Sequence, residues 1–274
     1  MTRFLPEDNL SYPVLIRIGS SGGSGFYFIH QDKVVYLVTA KHVLYDVTQK
    51  PNVLKANHLK VLSYDRDQKL SDPMETVVDL AVAVIHTDSS RDVALVKLAD
   101  VIEVEGQKVM KYSPGVSQGA SRPSTIVAVT NAHLKQFEQV MTSNEVIILG
   151  FPNSLSFPMV PQIEYNRPLL RKGIIAGKNY QNKTIILDCP VYQGNSGGVA
   201  IEVEEMGLGK RNFKVIGVVI QYIPFVEQMK SLQFGYTNSS YENSGYSVVE
   251  PVDTILNLIE PVSIVAKVDD SQSV

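Results

Sequence analysis

The sequence predicts an all-β fold with two halves of about six strands each and one helix near the C-terminus. Short runs rich in Val, Ile, Leu and Tyr recur along the chain, and turn residues separate them. Helical periodicity is nearly absent from these runs. A Gly-, Ser- and Pro-rich segment at 111–124 divides the runs into two sets. This pattern is typical of antiparallel barrels or sandwiches.

Each half of the chain contains six predicted strands. In the first half they span 13–19, 25–30, 34–39, 59–64, 76–86 and 93–98. In the second half they span 126–130, 145–150, 169–176, 183–188, 198–202 and 213–222. The β-branched and aromatic residues of these runs favour extended backbone. The Gly, Pro, Asn and Ser residues between them favour turns.

Helical signals are confined to two segments. Residues 131–143 could hold a short helix. Residues 250–260 give the stronger signal, because Pro251 stands early and Val252, Ile255 and Ile259 recur at helical spacing. We therefore predict three units: a domain at 1–115, a domain at 116–249, and a helix with a polar tail at 250–274.

Composition and charge argue against several classes of function. The 274-residue chain carries a net charge of −3 and has a pI near 6.0, so nucleic acid is not an expected partner. No apolar stretch is long enough to span a membrane, and no secretory signal is visible. Cys189 is the single cysteine, so no intrachain disulfide is possible. These features predict a cytoplasmic protein that does not bind membranes.

A glycine-rich loop holds a candidate nucleophile. Ser196 stands in the sequence GNSGG at 194–198, between two apolar segments. The loop fits a plain turn between strands, the G-x-S-x-G elbow of α/β-hydrolases, or the nucleophile loop of a serine peptidase. The loop alone does not separate these three alternatives.

The order of residues along the chain separates the two enzyme types. An α/β-hydrolase has its histidine after the serine, but all five histidines of this chain precede Ser196. The order Asp, His, Ser of subtilisin-type enzymes conflicts with the β-only pattern. Of the known orders of the three catalytic residues along a chain, only His, Asp, Ser agrees with this sequence.

Two residues of the first half have suitable settings for that order. His42 follows a strongly apolar run where the chain turns polar, which predicts a place at the rim of the sheet rather than in its core. Asp92 directly precedes an apolar strand, so its carboxylate can lie at the strand's entry. Asp88, in the preceding turn, is the competing candidate.

Three motifs in this order resemble those of trypsin-like serine peptidases, with the pattern closest to stand-alone bacterial Deg-type members. They are LVTAKHV at 37–43, RDVALVKL at 91–98 and GNSGG at 194–198. The segment GSGF at 23–26 precedes the histidine strand, as in Deg-type members, and the resemblance extends over about residues 13–260. It implies two six-stranded antiparallel β-barrels with the active site in the cleft between them.

The resemblance also implies a role for each matching residue. Ser196 would be the nucleophile, His42 the general base, and Asp92 the group that orients the imidazole. The backbone N–H groups of Gly194 and Ser196 would form the oxyanion hole. The implied chemistry needs no cofactor and no metal ion.

Two departures from the family pattern affect activation and orientation. Secreted members carry Asp before the nucleophile, where it pairs with a newly cut N-terminus. Here that residue is Asn195, so we expect no activation by such cleavage. Ile220 stands where trypsins have a serine that donates to the catalytic Asp, so Asp92 needs another partner.

The implied substrate pocket carries no charge at its expected base. Pro190 lies six residues before the nucleophile, where trypsins place an Asp that attracts Lys or Arg. We therefore predict a small or apolar P1 residue. The candidate substrate-binding residues are Pro190, Val191, Gln193, Ile220, Gln221 and Tyr222.

Three functional hypotheses stay open on the sequence. The first is an active serine endopeptidase that cleaves polypeptide substrates. The second is a binding module that keeps the fold and no longer cleaves. The third is a latent effector protease that a regulatory protein partner activates, with control through a segment such as the Tyr-, Asn- and Ser-rich residues 224–245.

Overall fold

The computed structural model describes residues 5–65, 73–119, 126–152, 160–230 and 233–260. In these ranges the chain is mostly β-strand, with few and short helices. The predicted all-β class is therefore confirmed. The polar tail beyond residue 260 lies outside the described residues.

The first half of the chain forms one large sheet and a separate pair of short strands. Its strands are β1 (Pro13–Ile18), β2 (Ser21–His30), β3 (Val34–Thr39), β4 (Tyr45–Asp46), β5 (Val53–Leu54), β6 (His58–Ser63), β7 (Met74–Asp79), β8 (Ile85–Thr87), β9 (Ala94–Val104), β10 (Gln107–Tyr112), β11 (Val116–Gln118) and β12 (Val129–Thr130). Ten of them pair in the order β10-β9-β3-β2-β1-β6-β7-β11, with β8 on β9 and β12 on β2, while β4 and β5 pair separately. This sheet has more strands than the six that were predicted.

The second half forms a closed barrel. Its strands are β13 (Glu145–Gly150), β14 (Leu169–Asn179), β15 (Thr184–Asp188), β16 (Val199–Glu205), β17 (Arg211–Lys230) and β18 (Thr237–Pro251). They close in the order β13-β14-β15-β18-β17-β16. The predicted domain boundary at residue 116 stays a prediction, since β11 and β12 follow it and pair with strands of the first sheet.

Among the described residues, three short α-helices accompany the sheets: α1 (Glu7–Leu10), α2 (Lys41–Leu44) and α3 (Val252–Ile259). The predicted C-terminal helix is confirmed by α3. The helix predicted at 131–143 is wrong, because this segment holds only the two 3-10 turns Asn131–His133 and Phe137–Gln139. Tertiary contacts outweigh local propensity here, since Phe137 is buried and its backbone N–H donates to the Asp253 carboxylate at 2.7 Å.

Two predicted segments adopt a different strand structure. The single strand predicted at 76–86 is interrupted between β7 and β8, and the Asp79 carboxylate accepts the Ala81 backbone N–H at 3.0 Å in a local turn. In the segment 224–245, the described residues of β17 and β18 form two antiparallel strands of a β-hairpin that stay paired from the barrel out to Lys230 and Thr237. Its outer part is exposed, including Phe225 and Tyr241.

The two halves share a hydrophobic core. Phe26 and Phe28 of β2 pack in one buried cluster with Ile147 and Leu149 of β13, and this cluster includes Ile255 of α3. In a second cluster, Ile220 and Val248 of the barrel pack with the interior of the first sheet. Burial of such large apolar side chains is the main force that holds the two sheets together.

Candidate active site

His42 and Asp92 lie next to each other at one end of the first sheet. His42 is in α2, which begins two residues after the end of β3, and Asp92 lies two residues before the start of β9. β3 and β9 are antiparallel neighbours with Thr39 opposite Ala94, so the end of β3 meets the start of β9. The pairing register therefore brings together two residues that are 50 positions apart.

The Asp92 carboxylate contacts His42 through both of its oxygens. Oδ2 lies 2.7 Å from His42 Nδ1, and Oδ1 accepts the backbone N–H of His42 at 2.9 Å. The Asp92 backbone carbonyl accepts the N–H of Lys41 at 3.2 Å. The partner that the carboxylate needs in place of a serine is therefore the backbone of His42 itself. This contact fixes the imidazole so that Nδ1 faces the carboxylate and Nε2 points away from it.

Asp88, the alternative candidate for the carboxylate that orients His42, hydrogen-bonds to residues of its own loop. Its Oδ1 accepts hydrogen bonds from both the backbone N–H and the hydroxyl of Ser90. These bonds lower the pKa of Asp88, the hydroxyl contributing most. The other four histidines contact residues away from Asp92: His30 meets Glu260, His58 meets Asp79, His86 meets Tyr36 and His133 meets Thr130.

The loop with Ser196 is packed against the first sheet. The Ser24 backbone N–H, in β2, donates to the Ser196 carbonyl at 2.8 Å. A Cβ at Gly23 would lie 3.1 Å from that carbonyl and 2.7 Å from the Val43 side chain, so this glycine lets the loop approach the helix that holds His42. The structure thus brings Ser196 to the same end of the first sheet as His42 and Asp92.

The Ser196 hydroxyl donates to the Ile220 carbonyl at 3.4 Å. Between the described side chains of His42 and Ser196 there is no hydrogen bond. Hydrogen bonds between catalytic groups are often long in unliganded enzymes and tighten when substrate binds.

Two backbone N–H groups of the same loop have no acceptor among the described residues. Gly194 has φ +94°, a value at which L-residues are strained. In the described part of the chain neither its N–H nor that of Ser196 donates to a protein acceptor. The Ser24 hydroxyl donates to the Gly194 carbonyl at 2.7 Å and accepts the Phe151 N–H at 2.8 Å. Ser24 therefore ties the loop both to β2 and to the barrel.

Asn195 is an uncharged residue that hydrogen-bonds to the backbone of the nucleophile loop. It is 1% exposed, and its side-chain oxygen accepts the Tyr192 backbone N–H at 3.0 Å. Its own backbone N–H donates to the Tyr192 carbonyl at 3.0 Å. The loop is thereby held in shape by neutral hydrogen bonds within the chain.

The predicted substrate-binding residues divide by exposure. Gln193, Gln221 and Tyr222 are exposed, and Pro190 is partly exposed. The Val191 side chain lies in the barrel core and is 2% exposed, so it presents little surface to a substrate. Ile220 is also buried, and its side chain packs with the first sheet.

Sequence reasoning missed two buried polar residues next to these groups. The role of Ser24 was not inferred from GSGF, although a hydroxyl among glycines was a usable signal. Glu250, at the end of β18, pairs with Arg91, the residue before Asp92, at 3.4 Å, and burial raises the pKa of its carboxyl. The contacts of Ser24 and of Glu250 both join residues that are far apart in the sequence, so local sequence signals do not reveal them.

No grouping of three or more His, Cys, Asp or Glu side chains in the described ranges could hold a metal ion. Across the same residues no helix is long and apolar enough to cross a membrane.

Comparisons with known proteins relate the chain to a family. A family model described as a trypsin-like peptidase domain matches residues 23–208, which include His42, Asp92 and Ser196. No curated protein sequence matches.

Two solved structures are similar at low identity. One is an HtrA-type protease, AlgW, with a decapeptide: 15% identity, TM-score 0.49, over 92% of this chain and 64% of that one. The present chain thus spans less than two thirds of that protein. The other is the protease Anisep from Arthrobacter nicotinovorans: 12% identity, TM-score 0.47, over 87% of this chain and 88% of that one. Since the family model matches more than half of its length, this chain belongs to the trypsin-like peptidase family.

Proposed function

We propose that the protein is an endopeptidase that cleaves polypeptides through an acyl-enzyme, with Ser196 as nucleophile, His42 as general base and Asp92 as its orienting carboxylate. The observation that carries this proposal is the double contact of Asp92 with His42, at 2.7 and 2.9 Å, beside the loop that holds Ser196. The order of the three residues along the chain supports it as well.

The proposed reaction begins when Ser196 Oγ attacks the scissile carbonyl carbon. His42 Nε2 takes the hydroxyl proton, and Asp92 stabilises the imidazolium through Nδ1–H. His42 then gives the proton to the leaving amine, and the acyl group stays on Ser196. A water molecule, deprotonated by His42, attacks the acyl carbon and releases the second product.

The backbone N–H groups of Gly194 and Ser196 are the proposed oxyanion hole. They lie on either side of Asn195, and they are the unused donors of this loop. Charge develops on the carbonyl oxygen in the transition state, and each such donor typically contributes about 100- to 1000-fold to the rate. Because Asn195 closes the loop with neutral bonds, we propose that the hole forms without cleavage of the N-terminus.

We propose that the P1 pocket accepts a small or apolar residue, with Pro190, Gln193, Ile220, Gln221 and Tyr222 around it. Pro190 brings no charge to the expected base of the pocket. Peptides with Ala, Val or Leu at P1 should be cleaved in preference to those with Arg or Lys. Preferential cleavage after Arg or Lys would contradict this and would point to Asp188, whose exposed carboxylate lies near Gly245.

A latent protease that needs a regulatory protein partner is the second candidate. It is favoured by the exposed β17–β18 hairpin, which includes residues of the segment that the sequence suggests for control.

Labelling with a fluorophosphonate probe tests the proposal. Wild type should be labelled, and Ser196→Ala and His42→Ala should not. His58→Ala is the matched control, because this histidine is exposed and its ion pair, at 3.8 Å, is with Asp79 and not with Asp92. An unlabelled wild type would contradict the constitutive enzyme. Labelling restored by cell extract would then indicate the latent form, and its absence would indicate an inactive binding module.

A further inference from the structure

A buried carboxylate lies near the backbone of Asp92. The Glu250 carboxyl is close to the Asp92 backbone N–H, while the Asp92 side chain contacts His42. Glu250 is 3% exposed and lies at the end of β18, just before α3. A buried charge is costly unless it has partners, so its presence beside Asp92 calls for a reason.

Glu250 has two further partners, and both fix its Oε2. The Thr254 hydroxyl donates to this atom at 3.0 Å, and Arg91 Nη1 lies 3.4 Å from it. Arg91 is in turn fixed by the Asn182 carbonyl, which accepts from Nη1 at 2.5 Å. The carboxylate therefore has one orientation, set by groups from α3 and from the loop before β9.

The neighbouring backbone leaves Glu250 no room to shift. A Cβ at Gly217, on the paired strand β17, would lie only 2.0 Å from the Glu250 carbonyl oxygen. A side chain at position 217 would displace the backbone of Glu250, and glycine permits the close approach. The position of the carboxylate is thus fixed by both its hydrogen bonds and its backbone.

We propose that Glu250 is a positioning residue for the triad: its ion pair with Arg91 fixes the backbone next to Asp92 and so holds the Asp92 carboxylate in line with His42. The second sheet supplies this group, so the barrel contributes to the orientation of two residues that belong to the first sheet. The proposal rests on the proposed catalytic roles of His42, Asp92 and Ser196.

The test compares Glu250→Met, Glu250→Gln and wild type by the rate of fluorophosphonate labelling. Met has nearly the length of Glu but cannot accept a hydrogen bond, so the maximal labelling rate should fall about 10- to 100-fold. The probe concentration for half-maximal rate should change little, because the loss concerns orientation and not probe binding. Gln keeps an acceptor oxygen, so Glu250→Gln should stay within about threefold of wild type.

Glu202→Met is the matched control for loss of a buried carboxylate. Glu202 is 0% exposed and paired with Lys135 at 2.9 Å, and its described contacts do not include the triad. It should lower stability without lowering the maximal rate of the folded protein. An equal fall in rate for Glu202→Met, or no fall for Glu250→Met, would overturn the proposal.

A second variant and a second measurement separate this proposal from the proposed function. If Glu250→Met does not fold, Thr254→Val removes one donor to Oε2 at nearly constant shape and should lower the rate about threefold or more. The low-field proton signal of His42 Nδ1–H, identified by its loss in His42→Ala, needs no activity. It should disappear or shift in Glu250→Met and persist in Glu202→Met. A wild type that fails to label refutes the constitutive enzyme alone, whereas an unchanged signal in Glu250→Met refutes the positioning role.

Discussion

Ser24 shows how one hydroxyl joins the two sheets behind the candidate nucleophile. It is fully buried and bridges the Gly194 carbonyl and the Phe151 N–H. In Ser24→Ala the Phe151 N–H would lose its acceptor, at a cost of about 1–3 kcal/mol. The loop that presents Gly194 would also lose a restraint, so we expect labelling to slow by about tenfold or more, less than the loss of a whole oxyanion donor. Denaturant unfolding and fluorophosphonate kinetics measure the two effects.

Ser21→Ala is the control for this prediction. Ser21 is on the same strand, and its hydroxyl donates only to the Ile18 carbonyl at 3.2 Å. The variant should change the free energy of unfolding by no more than about 0.5 kcal/mol and leave labelling unchanged. Equal behaviour of the two variants would show that the Ser24 bridge has no special role.

We expect Glu250 to make the free energy of unfolding depend on pH. Burial raises the pKa of its carboxyl in the folded protein. The folded state therefore binds this proton more tightly than the unfolded state. The resulting stabilisation is present below the usual Glu pKa of about 4.3 and is lost as the pH rises through the raised pKa of the folded state. Relative to Glu250→Gln, wild type should lose stability between about pH 4 and pH 7. Urea unfolding at both values measures the difference.

Glu204 provides a control of opposite sign. The hydrogen bond from Lys135 lowers the pKa of the Glu204 carboxyl. The folded state then binds this proton less tightly, so the stabilisation is present above the usual Glu range and is lost as the pH falls. Glu204→Gln should therefore lose its disadvantage relative to wild type at low pH. The same trend in both variants would contradict the assignment for Glu250.

The sequence locates the candidate triad because each of its members is next to a local signal. His42 follows a strand end, Asp92 precedes a strand, and Ser196 stands among glycines. Glu250 has no such signal, because its proposed importance comes from its pairing with Arg91, which stands next to Asp92 and 159 positions before Glu250. A carboxylate before a predicted helix suggests a solvated helix terminus, and only the packing of β18 shows that it is buried.

At the scale of elements, strands with apolar runs were predicted well and their interruptions were not. The strands β1, β3 and β13 match the predicted runs to within a residue. The interruption between β7 and β8 was missed, because residues 77–85 form a nearly continuous apolar run whose turn depends on Asp79. The outer part of the β17–β18 hairpin was missed because its polar and aromatic residues are exposed on both strands, so neither follows the pattern of a half-buried strand.

Cys189, next to the end of β15, should have an unreactive thiol. Cys189 is fully buried, its N–H donates to the Gly245 carbonyl at 3.0 Å, and burial raises the pKa of its thiol to about 11. At pH 8 the thiolate should be about a hundredfold or more scarcer than in the unfolded chain. Iodoacetamide should therefore modify the native protein very slowly and the urea-unfolded protein quickly, as mass spectrometry would show. Rapid modification of the native protein would mean that β15 and β18 separate there, and Cys189→Ser controls for reaction at other residues.

The whole molecule depends on a close contact between the nucleophile loop and the first sheet. Gly197 has φ +86°, and its N–H donates to the Val219 carbonyl of β17 at 2.7 Å. A Cβ at this position would lie 1.9 Å from the Ser24 carbonyl oxygen and 2.3 Å from the Thr39 hydroxyl. Three strands from both halves thus converge on one residue that has no side chain.

Gly197→Ala should therefore destabilise the molecule far more than an alanine at another left-handed glycine. Gly209 has φ +73°, and a Cβ at this position would meet no described atom within 4 Å, so Gly209→Ala carries the backbone strain alone, about 1 kcal/mol. Gly197→Ala adds a collision with backbone that cannot move without separating β2 from the loop, so we expect a loss above about 4 kcal/mol or failure to fold. Urea unfolding of the two variants isolates the contribution of the contact between the halves. If both lose the same free energy, the halves are not locked at Gly197, and the shared apolar core around Phe26 and Ile147 alone holds them together.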